Sequence, residues 1–364
     1  MKSRQPPDTL LLLATFLLLG IGLVMVYSSS SVHSLYRYNI SYHFLRRQAI
    51  FAGLGLVVMY VCMRFNYWNW RRFVKPAFFF NFLLLIMVLI PGIGVERSEA
   101  RRWIDLGITN FQPSDFTKFA LVLFVANYLV VNKDKMHDFR RGLLPVLFFS
   151  VLSFGLIMLQ PDLGTGLTIF MTIYIVLFSG GAKVGHLLGL ASAAIPAVIA
   201  LIIFAPYRMA RLMSFLNPWA DPGDTGWQII QSLLAIGSGS LVGVGLGASR
   251  QKFSYLPQPW TDFIYAIICE ELGFIGGAAV IILFLILIWR GFRIAMAAPD
   301  LFGQYLAFGL TAMIAVQVCI NLGVVLGTLP VTGIALPLIS YGGTSLLLTL
   351  TSIGVLLNIS RYSN

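Results

Sequence analysis

Long runs of apolar residues, separated by short polar segments, extend over almost the whole chain. Most runs approach the length of about 20 residues that a helix needs to cross the hydrocarbon core of a bilayer. They predict ten transmembrane helices, near residues 10–28, 48–63, 76–90, 116–131, 143–159, 164–180, 186–205, 263–289, 302–326 and 340–358. An even number of spans places both termini on one side. The pattern therefore predicts an all-α polytopic membrane protein, with residues 1–364 forming a single domain.

Composition supports this class. Of the 364 residues, 58% are apolar and only 11% are charged, and the mean hydropathy is +0.85. Soluble domains carry about 45–50% apolar and about 25% charged residues, so a soluble enzyme, a disordered protein and a DNA-binding domain are excluded. The three cysteines and four histidines show no spacing typical of a disulfide framework or a metal site.

The net charge is +11, and the distribution of the basic residues between the two predicted sides of the membrane indicates the topology. Of the 25 Lys and Arg residues, 14 fall on the side of the predicted termini and 11 on the opposite side. Since basic residues are enriched in cytoplasmic loops, this bias predicts that both termini are cytoplasmic. Attraction to the anionic lipids of the inner leaflet explains the remaining basicity, and binding of nucleic acid is not needed to explain it.

Two predicted outer segments are long. One covers residues 91–115 and has mixed charge; the other covers 206–262, between spans seven and eight. Loops of this length are uncommon unless they have a function. Residues 226–247 are apolar but carry five glycines after Ala235, which predicts a re-entrant or surface element, with an eleventh span as the alternative. The strict GxGxxG pattern fails at Val242, so no nucleotide site is predicted there.

Acidic residues near the membrane are the first candidates for chemistry. Asp262 lies at the start of span eight, and Glu270 would lie about 12 Å deeper and about 80° around the same helix. Asp262 and Glu270 could therefore share a cavity, whereas Glu271 faces the other way. The alternatives are structural: Asp262 could cap the helix, and the two glutamates could join helices.

Basic residues form the second group of candidates, because guanidinium groups bind phosphate oxygens in a bidentate manner. Cations beside an acid at the bilayer surface favour a lipid-linked phosphate or pyrophosphate substrate. The alternative is contact with lipid headgroups and pairing with nearby acids such as Glu96 and Asp105. The candidate cations of the predicted outer side are Arg101, Arg102, Lys118, Arg208, Arg211, Arg250 and Lys252.

Three Pro- and Gly-containing motifs interrupt the spans and are also typical of hinges or turns. They are QPSD at 112–115, QPDLGTG at 160–166 and PLISYGGTS at 337–345. Together with ARRWIDLG, SRQKFSYLP, TDFIYAIICEELGFIG and LNISR, these motifs resemble the SEDS family of bacterial cell-wall glycosyltransferases. The resemblance covers essentially the whole chain, and it is stronger to the division and sporulation members than to the elongation member.

This resemblance implies an enzyme that polymerises lipid II outside the bacterial cytoplasmic membrane, together with a class B penicillin-binding protein. It makes Asp262 the expected catalytic residue, through the motif TDFI. The family motif QPSE-x-x-K falls on Gln112 to Asp115 and Lys118. The residues expected to bind substrate are Arg101, Arg102, Asp115, Lys118, Arg208, Arg250, Lys252, Glu270 and Ser345.

Some positions depart from the family pattern. Asp115 replaces the usual Glu, and Gln258 and Trp260 replace the acid and the His of LPEAHTDF, so no role is carried over to these two. A Mg²⁺ or Mn²⁺ ion held by Asp262 beside a pyrophosphate is a further hypothesis. A flippase for lipid-linked precursors and a non-catalytic scaffold are the rival functions.

Overall fold

We describe a computed structural model of the chain, which covers residues 5–97, 100–105, 107, 110–253 and 255–362. The described part contains twelve α-helices and one small sheet. The helices are α1 (Thr9–Tyr38), α2 (His43–Arg64), α3 (Trp70–Met87), α4 (Pro113–Val131), α5 (Leu144–Met158), α6 (Leu163–Ser179), α7 (Val184–Ile203), α8 (Pro206–Leu216), α9 (Trp227–Ser238), α10 (Ile264–Ala297), α11 (Leu301–Val325) and α12 (Gly343–Ser360).

The predicted membrane architecture is confirmed. Among the described residues, eight helices are long and apolar enough to cross a membrane, and α3 and α6 occupy the positions of the other two predicted spans. Helices α11 and α12 are the most deeply buried, whereas α7 has Leu187 as its one buried residue. Apart from Ser192, whose hydroxyl donates to the Gly189 carbonyl at 2.8 Å, the exposed side chains of α7 are apolar, as expected for a helix that faces lipid.

Both ends of the described chain meet at one end of the bundle. The backbone N–H of Gln5 donates to the carbonyl of Arg361 at 3.0 Å, and Arg290 forms an ion pair with Asp8. Asp8 also caps α1 by accepting a hydrogen bond from the Leu11 N–H at 2.9 Å. The two described ends of the chain therefore lie at the same end of the bundle, as an even number of spans requires.

The segment 91–115 contains a sheet that the apolar pattern does not predict. Strands β1 (Gly94–Arg97), β2 (Ala100–Asp105) and β3 (Asn110–Phe111) form an antiparallel sheet in the order β1-β2-β3. Ile104 of β2 is buried with Leu84 and Val88 of the α3 region. The small sheet thereby packs on the end of the helix bundle opposite the termini.

The glycine-rich part of the long loop lies against a break in α10. At Gly273 the backbone leaves the helical conformation, with φ of 67°. The freed backbone groups pair with residues 240–245: Phe274 N–H donates to Ser240 O at 2.9 Å, and Val244 N–H donates to Glu270 O at 3.0 Å. The apolar stretch 226–247 is thus a 12-residue helix, α9, followed by a segment packed on α10, and not an eleventh span.

The glycines of this segment allow its backbone to lie in close contact with the backbone of α10. Replacing one of them tests this explanation. A Cβ on Gly243, which has φ of 83°, would overlap the carbonyl oxygen of Glu271. We expect Gly243→Ala to cost more than about 2 kcal/mol of stability, because strain and overlap act together. Thermal unfolding in detergent measures this. Gly237→Ala is the matched control and should unfold at or above the wild-type temperature, because a Cβ at this helical position would meet no atom beyond the neighbouring backbone within 4 Å. Equal unfolding temperatures for the two variants would contradict the prediction.

Candidate functional site

Asp262 lies directly before α10, at the end of the bundle opposite the termini. The capping position of α10 is Phe263, and no side chain of the described residues caps this helix. The Asp262 carboxylate instead accepts a hydrogen bond from the hydroxyl of Thr261 at 2.8 Å. The alternative that Asp262 serves as the helix cap is therefore wrong, and its carboxylate keeps acceptor capacity for another group.

Three consecutive carbonyl groups hold the backbone at Asp262. The carbonyl of Trp260 accepts from the N–H of Tyr341 at 2.9 Å, and that of Thr261 accepts from the Ser340 hydroxyl at 2.6 Å. The carbonyl of Asp262 accepts from the side-chain amide of Asn321 at 2.7 Å. The segment before α12 and the helix α11 thus fix the position of the loop that carries the carboxylate.

Replacing Ser340 tests whether these hydrogen bonds position Asp262. Ser340→Ala removes the donor to Thr261 and also the acceptor of the Leu336 N–H. A neutral hydrogen bond contributes about 0.5–1.5 kcal/mol, so we expect kcat for the polymerisation that the sequence resemblance implies to fall roughly two- to tenfold with little change in KM. Ser352→Ala, whose hydroxyl donates only to a carbonyl of its own helix α12, is the control. A rise in KM with kcat unchanged would exclude a positioning role for Ser340.

The surroundings raise the basicity of Asp262. Burial raises the pKa of Asp262 above its ordinary value, while the hydrogen bond from Thr261 and the charge of Arg211 oppose this rise. Arg211 interacts electrostatically with Asp262 and also with Asp162 and Arg102. Within the described residues, Arg211 makes no ion pair shorter than 4 Å. The space between Arg211 and Asp262 is therefore not closed by a direct ion pair.

Three arginines converge on a cavity of about 60 Å³ next to this group. Arg102 of β2 donates to the carbonyls of Gln160 and Pro161, and Arg208 of α8 donates to the Leu201 carbonyl at 2.9 Å. Arg211 of α8 donates to the Val331 carbonyl at 3.3 Å. The partners of these guanidinium groups are neutral, so their positive charge stays available to an anion. The cavity is lined by Arg102, Pro161, Leu163, Gly164, Ile202, Tyr207, Arg208, Arg211, Leu212, Pro330, Val331 and Thr332.

The QPSD and QPD motifs lie side by side near this cavity. The amide of Gln112 donates to Ser114 Oγ at 3.1 Å and to Asp162 at 3.4 Å. Asp115 and Lys118 form a buried ion pair at 2.7 Å on α4. The Gln112 N–H contacts the hydroxyl of Thr344 at 3.4 Å, which brings the start of α12, with the adjacent Ser345, to the same place.

Other expected site residues are engaged elsewhere. Glu270 is 1% exposed and accepts hydrogen bonds from Ser249 Oγ and from the Arg250 N–H. Lys252 is buried, donates to the Gly247 carbonyl and lies 3.6 Å from Glu271. The structure thus places Glu270 and Lys252 in the contact between the long loop and α10, which is a different role from the expected binding of substrate.

The remaining predicted residues lie at the surface or join helices. Arg101 pairs with Glu96 at 2.9 Å near the surface, as the alternative of local pairing predicted. The side chain of Arg250 is exposed, and its backbone N–H contacts Glu270. Glu271 accepts from the Ser28 hydroxyl of α1 at 2.7 Å, in agreement with the expectation that it meets another helix.

The surroundings of Asp262 do not fit a metal site built by the protein. Within the described residues, no group of three His, Cys, Asp or Glu side chains could hold an ion. The side chains that act on Asp262 are a hydroxyl and a guanidinium, and a positive charge disfavours a cation. The hypothesis of Mg²⁺ or Mn²⁺ at Asp262 therefore finds no support in the donor set.

Several residues of the site were not predicted from the sequence. Arg211 is one of the outer candidate cations but not one of the residues expected to bind substrate. Asn321 and Ser340 were not expected at the site, although an amide within the apolar span 302–326 is a signal of a specific contact. Asp162 was expected only as part of a turn motif.

Comparisons with known proteins agree with this architecture. A family model described as "Cell cycle protein", which covers FtsW, RodA and SpoVE, matches residues 9–364. The chain is 50% identical to stage V sporulation protein E of Bacillus subtilis over 361 residues, which is 99% of each chain. It is 45% identical to the probable peptidoglycan glycosyltransferase FtsW of Trichlorobacter lovleyi, over 97% of this chain and 93% of the relative.

Two solved structures are similar over 98% of both chains. One is a chain of a peptidoglycan synthase complex, described as coordinating polymerization and crosslinking, with a TM-score of 0.80 and 32% identity. The other is the rod shape determining protein RodA of Thermus thermophilus, with a TM-score of 0.72 and 29% identity. The resemblance to the SEDS proteins is thus confirmed, and the chain belongs to the FtsW/RodA/SpoVE family.

Proposed function

We propose that this chain is a membrane glycosyltransferase that polymerises lipid II into β-1,4-linked glycan strands, with Asp262 as the catalytic base. The observation that carries this proposal is a partly buried carboxylate, Asp262, that interacts with Arg211. Arg211 lines one cavity together with Arg102 and Arg208, and none of the three arginines pairs with an acid of the described chain. Relatives named as probable peptidoglycan glycosyltransferases support the same activity.

The reaction requires inversion at the anomeric carbon. Lipid II carries an α-linked sugar pyrophosphate, and the product is β-linked, so one displacement suffices. The acceptor 4-hydroxyl oxygen forms the new bond to C1 while the bond from C1 to the pyrophosphate oxygen breaks. Asp262 takes the hydroxyl proton, and undecaprenyl pyrophosphate leaves with the electron pair. A raised pKa makes Asp262 a stronger base than an ordinary aspartate.

The arginines stabilise the leaving group. Pyrophosphate gains negative charge as the bond to C1 breaks, and guanidinium groups bind its oxygens bidentately. Arg102, Arg208 and Arg211 are fixed by carbonyl groups, so they are already oriented before the charge develops. Preorganised donors of this kind often supply the largest share of catalysis. We assign Asp115, Lys118 and Ser345 to the wall of the same site.

Polymerisation of fluorescent lipid II tests this function. The purified chain would be incubated with lipid II and a partner transpeptidase that has no glycosyltransferase domain. Glycan ladders that disappear on digestion with a muramidase support the enzyme. Absence of ladders, together with movement of lipid II across proteoliposome membranes, would favour a flippase. Absence of both would favour a scaffold.

The partner in this proposal is a class B penicillin-binding protein. A face of α10 offers a docking surface for its membrane helix, because large apolar side chains are exposed along it. These are Phe274, Ile275, Ile282, Leu285 and Trp289. In the lipid bilayer, close packing of such a face with a partner helix provides the association energy.

Co-purification tests this surface. We expect the wild-type chain to retain the transpeptidase in mild detergent, and Leu285→Trp, which adds bulk to the face, to retain less. Leu188→Trp on the lipid-facing helix α7, whose side chain is similarly exposed, is the control. If Leu188→Trp weakens retention and Leu285→Trp does not, the surface has been assigned to the wrong helix.

We further propose that the chain lies in the bacterial cytoplasmic membrane with both termini in the cytoplasm. Asp262 and the arginines would then face the outer side, where glycan strands are made. The excess of Lys and Arg at the end that carries the termini supports this orientation. Membrane lipids surround the bundle, and no nucleic acid is involved.

A further inference from the structure

A second cavity, of about 350 Å³, opens at the end of the bundle where the termini meet. It lies between the turn after α4, the α6–α7 turn at 179–181 and Tyr305 in the second turn of α11. Its volume falls within the roughly 300–1,000 Å³ typical of small-molecule sites. Asp262 is at the other end of α10 from Arg290, which pairs with Asp8, so the two cavities are separate.

Tyr305 contributes a largely buried residue to the wall of this cavity. The residue is 6% exposed, and its hydroxyl has no hydrogen-bond partner among the described residues. The hydroxyl itself is not enclosed by protein, so it borders the open space of the cavity. Gly181, which has φ of 82°, contributes no side chain that could fill the space. The hydroxyl of Tyr305 is therefore available to a ligand with an acceptor atom.

Two further donors line the entrance. Lys133 and His137 lie in the turn after α4, and neither is within 4 Å of a carboxylate in the described part of the chain. Asp134, between them, also lines the cavity but forms no ion pair with a described residue. An ammonium, an imidazole and a phenol together suit the oxygen atoms of a phosphate. The carboxylate of Asp134 opposes a second negative charge.

We propose that this cavity binds the phosphate group of a phosphodiester. A phosphodiester carries one negative charge, which Lys133 can neutralise while His137 donates a hydrogen bond, whereas the second charge of a phosphomonoester dianion meets repulsion from Asp134. The ligand has two possible sources: the headgroup of an anionic phospholipid in the adjacent leaflet, or a soluble phosphodiester. This site is additional to the proposed polymerisation site and does not depend on it.

Titration of the full-length, delipidated protein in detergent, followed by ³¹P NMR, tests the proposal. The probes are dihexanoylphosphatidylglycerol, glycerophosphoglycerol and inorganic phosphate. We expect the two diesters to bind more tightly than inorganic phosphate. Tighter binding of the acylated probe than of glycerophosphoglycerol identifies a lipid as the source, and equal binding identifies a soluble diester. Inorganic phosphate binding as tightly as the diesters would overturn the proposal.

Variants assign the binding to this cavity. We expect Lys133→Gln and Tyr305→Phe each to weaken diester binding about tenfold, since each removes one donor to a charged group. Asp134→Asn should bring inorganic phosphate to the affinity of the diesters. Lys135→Gln is the matched control, because Lys135 lies in the same exposed turn but does not line the cavity. Binding that is equal in wild type, Lys133→Gln and Tyr305→Phe would overturn the proposal.

Discussion

Asp262→Asn is expected to insert and fold like the wild type and to lose at least about 10²-fold in the rate of polymerisation, because positioned general bases contribute about 10²–10⁴-fold. Asparagine keeps the shape of the side chain and can still accept the hydrogen bond from Thr261. It cannot take the proton of the acceptor hydroxyl. The initial rate of glycan formation from fluorescent lipid II, at equal amounts of folded protein, measures the loss.

A substitution at the neighbouring Thr261 is the control for this prediction. Thr261→Val keeps the size of the side chain but removes the hydroxyl that Asp262 and the Gln258 carbonyl share, so it should reduce the rate much less than Asp262→Asn. Because α10 is not capped by Asp262, the asparagine variant should unfold at nearly the wild-type temperature. If Asp262→Asn keeps more than about a tenth of the wild-type rate, against the 10²-fold minimum expected of a base, the base must be sought elsewhere.

The pH dependence of the wild-type polymerisation rate also tests whether Asp262 is the base. Burial raises the pKa of Asp262 above its ordinary value, and only the deprotonated carboxylate can act as a base. The rate should therefore fall as the pH falls through a pKa higher than that of an exposed aspartate. Asp262→Asn should lack this acid limb in whatever activity remains.

The helical fold could be predicted well from the sequence, because a membrane span needs a long apolar run and little else. The small sheet was not predicted, since its strands are short and carry charged residues such as Arg101 and Arg102. The break in α10 at Gly273 also could not be predicted. It depends on the glycine-rich segment lying against the freed backbone, which is a contact between distant parts of the chain.

At the candidate site, the roles expected from the sequence differ from the structure where a side chain has a partner from a distant part of the chain. Helical periodicity placed Glu270 on a face near Asp262, but it could not reveal that the loop at Ser249 and Arg250 would bind the glutamate. The charge pattern likewise identified Lys252 as a cation without showing its buried contact with Glu271. Arg211 interacts with Asp262 and also donates to the Val331 carbonyl, so α8 contacts a segment 120 residues later in the chain. No local pattern in the sequence shows such a contact.

In the proposed mechanism Arg211 acts both on the leaving pyrophosphate and on the base, Asp262. Its removal should therefore alter both kcat/KM and the pH profile. Its guanidinium lines the arginine cavity and also interacts with the carboxylate of Asp262. Loss of a charge-assisted contact costs about 1.5–3 kcal/mol, so Arg211→Gln should lower kcat/KM for lipid II roughly ten- to hundredfold. Arg211→Lys should restore little if the pyrophosphate is bound bidentately, because an ammonium has no planar fork.

The second measurement separates this role from simple loss of binding. Arg211 lowers the pKa of Asp262, so Arg211→Gln should move the acid limb of the pH profile to higher pH. Arg211→Lys, which keeps the charge, should leave the limb closer to the wild-type position. Arg37→Gln, at an exposed arginine on the same end of the bundle, should change neither quantity. A Gln variant with reduced kcat/KM and an unshifted acid limb would assign Arg211 to the pyrophosphate alone and would remove its influence on the base.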